Sequence, residues 1–237
     1  MDYLALSNKV LHALNEVELT SANFATSKGI QTAVKEFINR SINDIYTAEL
    51  EWPFLHADGT ITTVAGTAEY ALVSGYKSVD VNSFYLIESG TDIKILPYIP
   101  YVQFAHQFRE RDLDPTTTSN RGKPDYAYLT NDDKVGFTPI PDKEYTVYYE
   151  YYQTHTDLSS TTDEPLLPAR YQDTVVARSE YYVHQLRSDL QAASLKNGEY
   201  SARIQRMRID LINKPDYVRS TVGASSPRAS IRHPKYF

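Results

Sequence analysis

Six histidines and thirty carboxylates are the side chains in this 237-residue chain with most capacity for chemistry, and their spacing decides what they can do. His12, His56, His106, His155, His184 and His233 stand far apart. None forms the four-residue helical pair that zinc needs, and His-Glu-x-x-His does not occur. No Gly-x-x-x-x-Gly-Lys-Ser/Thr loop is present to cradle phosphate, and the nine glycines form neither a Gly-x-Gly-x-x-Gly turn nor a Gly-x-Ser-x-Gly elbow. The acidic neighbours Asp132-Asp133 and Asp163-Glu164 fall in stretches that read as loops, where carboxylates are solvated rather than set against each other as a glycosidase pair. Asn39-Arg40-Ser41 matches a glycosylation sequon but lies inside a helical pattern. The residues therefore predict no catalytic group, no metal and no cofactor.

Composition points the same way. The chain has no cysteine, which removes disulfides and thiolate zinc sites and fits assembly in a reducing cytoplasm. No apolar run approaches the roughly 18 residues of a membrane span. Met1-Asp2-Tyr3-Leu4 has no basic flank, so no signal peptide is expected. Net charge is −6 but uneven: from Tyr200 to Phe237 it is +6, and the remainder carries −12. Such asymmetry suggests an acidic body with a basic tail that meets an acidic partner or nucleic acid. An acidic body repels phosphate, so specific DNA reading is not expected, although it suits a conduit through which DNA slides. Tyrosine is abundant, with 20 copies against one tryptophan. Tyrosine pairs an apolar ring with a polar tip, which suits surfaces buried between proteins as well as half-exposed strands.

The elements that must position these groups are legible in the periodicity. Tyr3, Leu6, Val10, Leu14 and Val17 make one helical stripe, and Ile30, Val34, Phe37, Ile38, Ser41, Ile42 and Ile45 a second, with Thr26 or Ser27 as its cap and Trp52-Pro53 ending it. From Gly59 the period changes to that of strands: Thr60–Val64 turning through Ala65-Gly66 into Thr67–Leu72, then Val79–Glu88 joined to Asp92–Leu96. A helix over Tyr101–Leu113 and a polar loop over 114–124 precede strands at Tyr126–Leu129, Lys134–Phe137 and Tyr145–Tyr152. In the last, Tyr145, Val147, Tyr149 and Tyr151 share one face and Tyr148, Glu150 and Tyr152 the other. After a polar link, Pro165-Leu166-Leu167-Pro168 opens a long helix with the stripe Tyr171, Val175, Ser179, Tyr182, Leu186 and Leu190. Asn197-Gly198 is expected to break or bend it, before a segment carrying Ile204, Met207 and Leu211. The fold class is α+β, a helical bundle from both ends with an inserted β-hairpin or β-sandwich-like region and an extended C-terminal arm. The boundaries are 1–53, 54–154, 155–214 and 215–237.

This arrangement resembles the head-to-tail adaptor proteins of podoviruses, the family of T7-like tail tubular protein A. Leu6-Ser7-Asn8-Lys9-Val10-Leu11-His12-Ala13-Leu14-Asn15-Glu16 looks like that family's opening helix. A long helix ending at Glu51-Trp52-Pro53-Phe54 follows. Phe137-Thr138-Pro139-Ile140-Pro141-Asp142 is similar to its proline-flanked turn before a Tyr-rich strand, and Leu166-Leu167-Pro168-Ala169-Arg170-Tyr171 to the start of its last long helix.

The resemblance implies a virion protein at the head-tail junction, a ring of about twelve copies beneath the portal that extends the DNA channel. The partners implied are further copies, the portal protein, the tail nozzle and possible tail fibres, with genomic DNA passing unbound and no membrane. It carries no active site over. Candidate portal or neighbour contacts are Arg219, Arg228, Arg232, Lys235, Tyr236 and Phe237. Candidate nozzle or subunit contacts are Tyr148, Tyr149, Tyr151 and Tyr152. The competing readings are another virion structural protein, such as a tail fibre adaptor, and a tail-associated glycan hydrolase.

Overall fold

The computed structural model describes residues 1–88, 92–109 and 118–212. Helices α1 (Tyr3–Ala13) and α2 (Ile30–Thr47) open the chain, α3 (Tyr101–Gln107) lies among the strands, and α4 (Asp173–Leu186) and α5 (Leu190–Leu211) follow them. The strands are β1 (His56–Thr62), β2 (Glu69–Ala71), β3 (Tyr76–Val79), β4 (Tyr85–Glu88), β5 (Asp92–Ile95), β6 (Tyr126–Leu129), β7 (Lys134–Thr138) and β8 (Thr146–Gln153). This is the α+β class read from the sequence.

The helical half is built on the stripes that the periodicity marks. Asp2 caps α1 by accepting from Ala5 N at 2.7 Å, and Tyr3, Leu6, Val10 and Leu11 are buried. They meet Val34, Ile38, Ile42 and Ile45 of α2, Val175, Val176 and Val183 of α4, and Ile204 and Met207 of α5 in one apolar core. Where α2 crosses α4, two small polar residues allow close approach: Ser179 Oγ donates to Ser41 Oγ at 3.0 Å, and Ser41 Oγ to Phe37 O at 2.6 Å. Trp52 seals the end of α2, fully buried, with its indole N–H donating to Ile45 O at 2.7 Å.

The β half is two antiparallel sheets face to face. The five-stranded sheet runs β1-β8-β4-β5, with β3 also paired to β8. The three-stranded sheet runs β2-β7-β6. Ile61, Leu86, Val147 and Tyr149 from the first meet Ala127, Val135 and Phe137 from the second. Glycine makes two of these contacts possible. The Tyr149 ring lies across Gly59 of β1, and the Tyr128 ring across Gly136 of β7. A Cβ on Gly59 would come within 2.4 Å of Tyr149 Cζ.

Several expectations are corrected. Residues 60–64 do not turn back onto 67–72: β1 pairs along its length with β8, and β2 pairs with β7. The seven-residue ladder offered by β8 outcompetes a local hairpin three residues long, because each added pair contributes hydrogen bonds and side-chain burial. Gly29, at φ 58°, starts α2 in place of Thr26 or Ser27, because its backbone turns where a β-carbon would be strained. The long C-terminal helix breaks at Ser188, φ 60°, and not at Asn197-Gly198. Asp189 recaps it by accepting from Ala192 N at 3.1 Å. Asn197 and Gly198 sit inside α5, where Arg178 donates to Asn197 Oδ1 and Lys196 and Arg203 both pair with Glu199. The break also turns Leu186 and Leu190 outward, and Val17 lies beyond α1, exposed. The expected arm, 215–237, the link at 89–91 and residues 114–117 of the polar loop lie outside the described residues.

Two glycines should respond oppositely to alanine. Gly59→Ala should destabilise the protein by about 1–3 kcal/mol in denaturant unfolding, because the rigid Tyr149 ring cannot yield. Gly198→Ala, exposed in mid-helix with nothing near its Cβ position, should stabilise by about 0.5–1 kcal/mol.

Candidate protein interface

Strand β8 sorts the tyrosines. Tyr149 points inward, fully buried, its hydroxyl accepting from Val73 N at 3.0 Å while Phe84 stacks on its ring. Tyr151 lies beside it, partly buried against the same core. Tyr149 is thus a core residue and not the surface contact expected of it. Tyr148 and Tyr152 stand on the opposite, outer face of the five-stranded sheet.

That outer face has two characters. Toward β5 it is apolar: Tyr148 stacks on Tyr85 with ring centroids 5.1 Å apart and planes within 10°. Register sets Tyr85 opposite Ile95 and Ile87 opposite Ile93. Ile93 and Ile95 are 66% and 68% exposed. Toward β1 it is acidic: Asp58 stands opposite Glu150, and His56 opposite Tyr152. His56 Nε2 lies 2.9 Å from Glu150 Oε2. Burial first, then the carboxylates of Glu51, Asp80 and Glu150, push the Tyr152 hydroxyl above its ordinary range. No described lysine or arginine pairs with Glu51, Asp58 or Asp80.

The donor atoms of His56, Asp58 and Glu150 lie within 4.8 Å of one another. Two of these residues are exposed and the third half-exposed, on a flat sheet face, without the enclosure and fourth ligand of a structural metal site. The sequence reading missed this constellation because it is cross-strand: only the β1–β8 register brings residue 150 to residues 56 and 58.

A cleft of about 330 Å³ opens where β8 hands the chain back to the helices, lined by Tyr46, His155, Asp157, Asp163 and Glu164. Asp163 closes its own turn, accepting from Ser160 N and Ser159 N at 2.8 Å each, which holds its carboxyl below the usual range, the reverse of a general acid. His155 is a joint: its side chain is almost wholly buried, its ring edge meets Tyr46 at 5.5 Å, and Nε2 lies 3.0 Å from Asp157 Oδ1.

A third feature is the N-terminal half of α5. Leu190 and Leu195 are 73% and 74% exposed, beside a shallow groove lined by Ala192 and Gly198. Arg219, Arg228, Arg232, Lys235, Tyr236 and Phe237 lie outside the described residues, as does His233.

The described residues offer exposed sheet and helix faces. The SU10 adaptor protein family matches residues 1–227, nearly the whole chain, and the chain belongs to that family of phage adaptors. Comparison with curated proteins gives no match. Membership makes the chain a structural component of a virion that meets other virion proteins. No described helix is long and apolar enough to cross a membrane.

His155 yields a pH prediction. Burial lowers its pKa from 6.5, and Asp157 offsets this only in part. The unfolded chain takes up the proton first as pH falls, so stability is full above about 6.5 and declines below it, until the folded-state pKa is passed. Denaturation midpoints measured from pH 7.5 to 5 should fall, and the His155→Phe variant, which keeps the ring against Tyr46, should lose that part of the slope.

Proposed function

We propose that this chain is a head-to-tail adaptor of a short-tailed phage, similar in role to the T7-like tail tubular proteins. About twelve copies form a ring beneath the portal and continue its DNA channel toward the tail nozzle. The observation that carries this reading is family membership across residues 1–227, which spans the helices, the sandwich and much of the basic C-terminal stretch.

The physical features fit the role. In this reading the helices of 1–53 and 155–214 face the portal and neighbouring copies, where the exposed leucines of α5 find partners. The β region, 54–154, faces the nozzle, with Tyr148 and Tyr152 on its outer sheet. The segment 215–237 supplies Arg219, Arg228, Arg232, Lys235, Tyr236 and Phe237 for the portal or a neighbour, charged and aromatic groups of the kind that anchor interfaces. The acidic remainder of the chain lets DNA pass without adhesion. The second reading, an adaptor for tail fibres, draws on the same tyrosine-bearing sheet face and predicts binding to fibre protein in place of portal.

The test is reconstitution. Purified chain should sediment mainly as a monomer at roughly micromolar concentration, because subunits of like charge repel, and should form rings only on added portal. Deleting residues 224–237 should leave folding intact and greatly weaken portal occupancy. Portal rings that recruit no chain, with fibre protein that does, would overturn the reading in favour of the second. Duplex DNA should bind no tighter than about 10–100 μM at physiological salt.

A further inference from the structure

The outer face of the five-stranded sheet and the end of α5 are neighbours, and their chemistry is complementary. Residues 213–237 carry five basic side chains and one acidic, a net +4, against −10 for residues 1–212. Their last ten residues place Arg228, Arg232 and Lys235 ahead of Tyr236 and Phe237. The sheet face has the matching order: a carboxylate end at Glu51, Asp58, Asp80 and Glu150, then an apolar end at Tyr148, Tyr85, Ile87, Ile93 and Ile95.

The exit point of the chain brings the two together. The guanidinium of Arg208, in the last turn of α5, donates to a Glu49 carboxylate oxygen and to Ala48 O. Glu49 is two residues from Glu51, at the carboxylate end of the face. Tyr152, on that same end, also packs against the helical core to which Leu211 belongs. The segment therefore leaves the described fold beside the acidic end. The four strands β1, β8, β4 and β5 span roughly 14 Å at about 4.8 Å each, and 25 residues reach about 80 Å when extended. The segment crosses the face with length to spare.

We propose that in the free subunit residues 213–237 dock across the outer face of their own chain's five-stranded sheet, the arginines on the carboxylate end and Tyr236-Phe237 on the apolar end. The contact covers Ile93 and Ile95, keeps the subunit from self-association, and gives way when portal or neighbouring copies compete for the same segment. It concerns the chain before assembly and stands whether or not the ring reading does.

The chain has no cysteine, so full-length protein carrying E144C and S230C has only two thiols for spin labels, one beside the face and one in the segment. Distances between them are measured by pulsed electron resonance at low salt. The expected result is a short, narrow population that survives tenfold dilution into unlabelled protein. It should broaden on adding D58K and E150K, and in about 1 M salt, where charges are screened within about 3 Å. A broad distribution from the outset overturns the proposal. So does a short population indifferent to D58K, E150K and salt, and so does one lost on dilution, which would place the segment on a neighbouring copy.

Discussion

Strand β8 is the constraint on which the β half depends. It is the shared partner of β1 on one edge and of β3 and β4 on the other, so three strands of the larger sheet take their register from it directly and β5 takes its own through β4. Between β3 and β4 the ladder is kept by a turn: Asp80 N donates to Glu150 O, and Glu150 N to Ser83 Oγ. Because side chains alternate along a strand, fixing Val147 and Tyr149 inside fixes Tyr148, Glu150 and Tyr152 outside. A one-residue slip would put Tyr148 over Gly59 and Glu150 into the core. Burying the Glu150 carboxylate and exposing Val147 forbids it, while Gly59 leaves room for the inward Tyr149 ring.

The helical half depends on a polar hub of similar economy. Asp44 of α2 accepts from Arg178 Nε at 2.7 Å and from the Tyr182 hydroxyl at 2.5 Å. The same guanidinium lies over the rings of Tyr181, Tyr182 and Tyr200 within 5 Å, and donates to Asn197. One arginine thereby ties α2, α4 and α5. Desolvation weakens its charged form, and the bonds to Asp44 more than restore it, so its pKa is raised. The link after β8 is held by the same means: Asn39 of α2 exchanges two 3.0 Å hydrogen bonds with the backbone of Leu158, and Tyr3 N donates to Asp163 O at 2.8 Å. These contacts seat the returning chain against α1 and α2, where α4 must start.

Much of this is legible in the sequence because it is local. The stripes of α1, α2 and α5, the strands β6, β7 and β8, and the β4–β5 pair all follow from periods of 3.6 and 2 that neighbouring residues carry. Non-local pairing is not written locally. Nothing in Thr60–Val64 states that Thr60 pairs with Tyr148 and Thr62 with Thr146, and an adjacent Ala-Gly favours the hairpin that does not form. The break at Ser188 has no glycine or proline to announce it, whereas Gly198 announces a break that three paired side chains suppress. At the candidate interface, alternation divides β8 into two tyrosine faces without saying which is buried. The β1–β8 register decides that, setting the inward Tyr149 against Gly59. Ile93 and Ile95 read as ordinary strand residues until the structure leaves their face uncovered.

The edge formed by β5 is apolar and exposed among the described residues. Leu96 N donates to Phe84 O at 2.9 Å, so the bonded pairs of the β4–β5 ladder fall at Leu96 and, two residues back, at Lys94. Ile93 and Ile95 then direct their backbone N–H and C=O groups away from β4, at the free edge, while their side chains stand in solvent. An apolar edge of this kind templates pairing with other chains, and soluble proteins blunt it with charge, proline or brevity. Here β5 has four residues, and its described lysine, Lys94, is drawn into a 2.5 Å pair with Asp125. Within the strand itself the defence is brevity. In the assembly proposed above, the exposed isoleucines and the leucines of α5 would become interior, and such an edge would be tolerable. The cost falls on the time before assembly, when net negative charge and the proposed docking of residues 213–237 both work to keep copies apart.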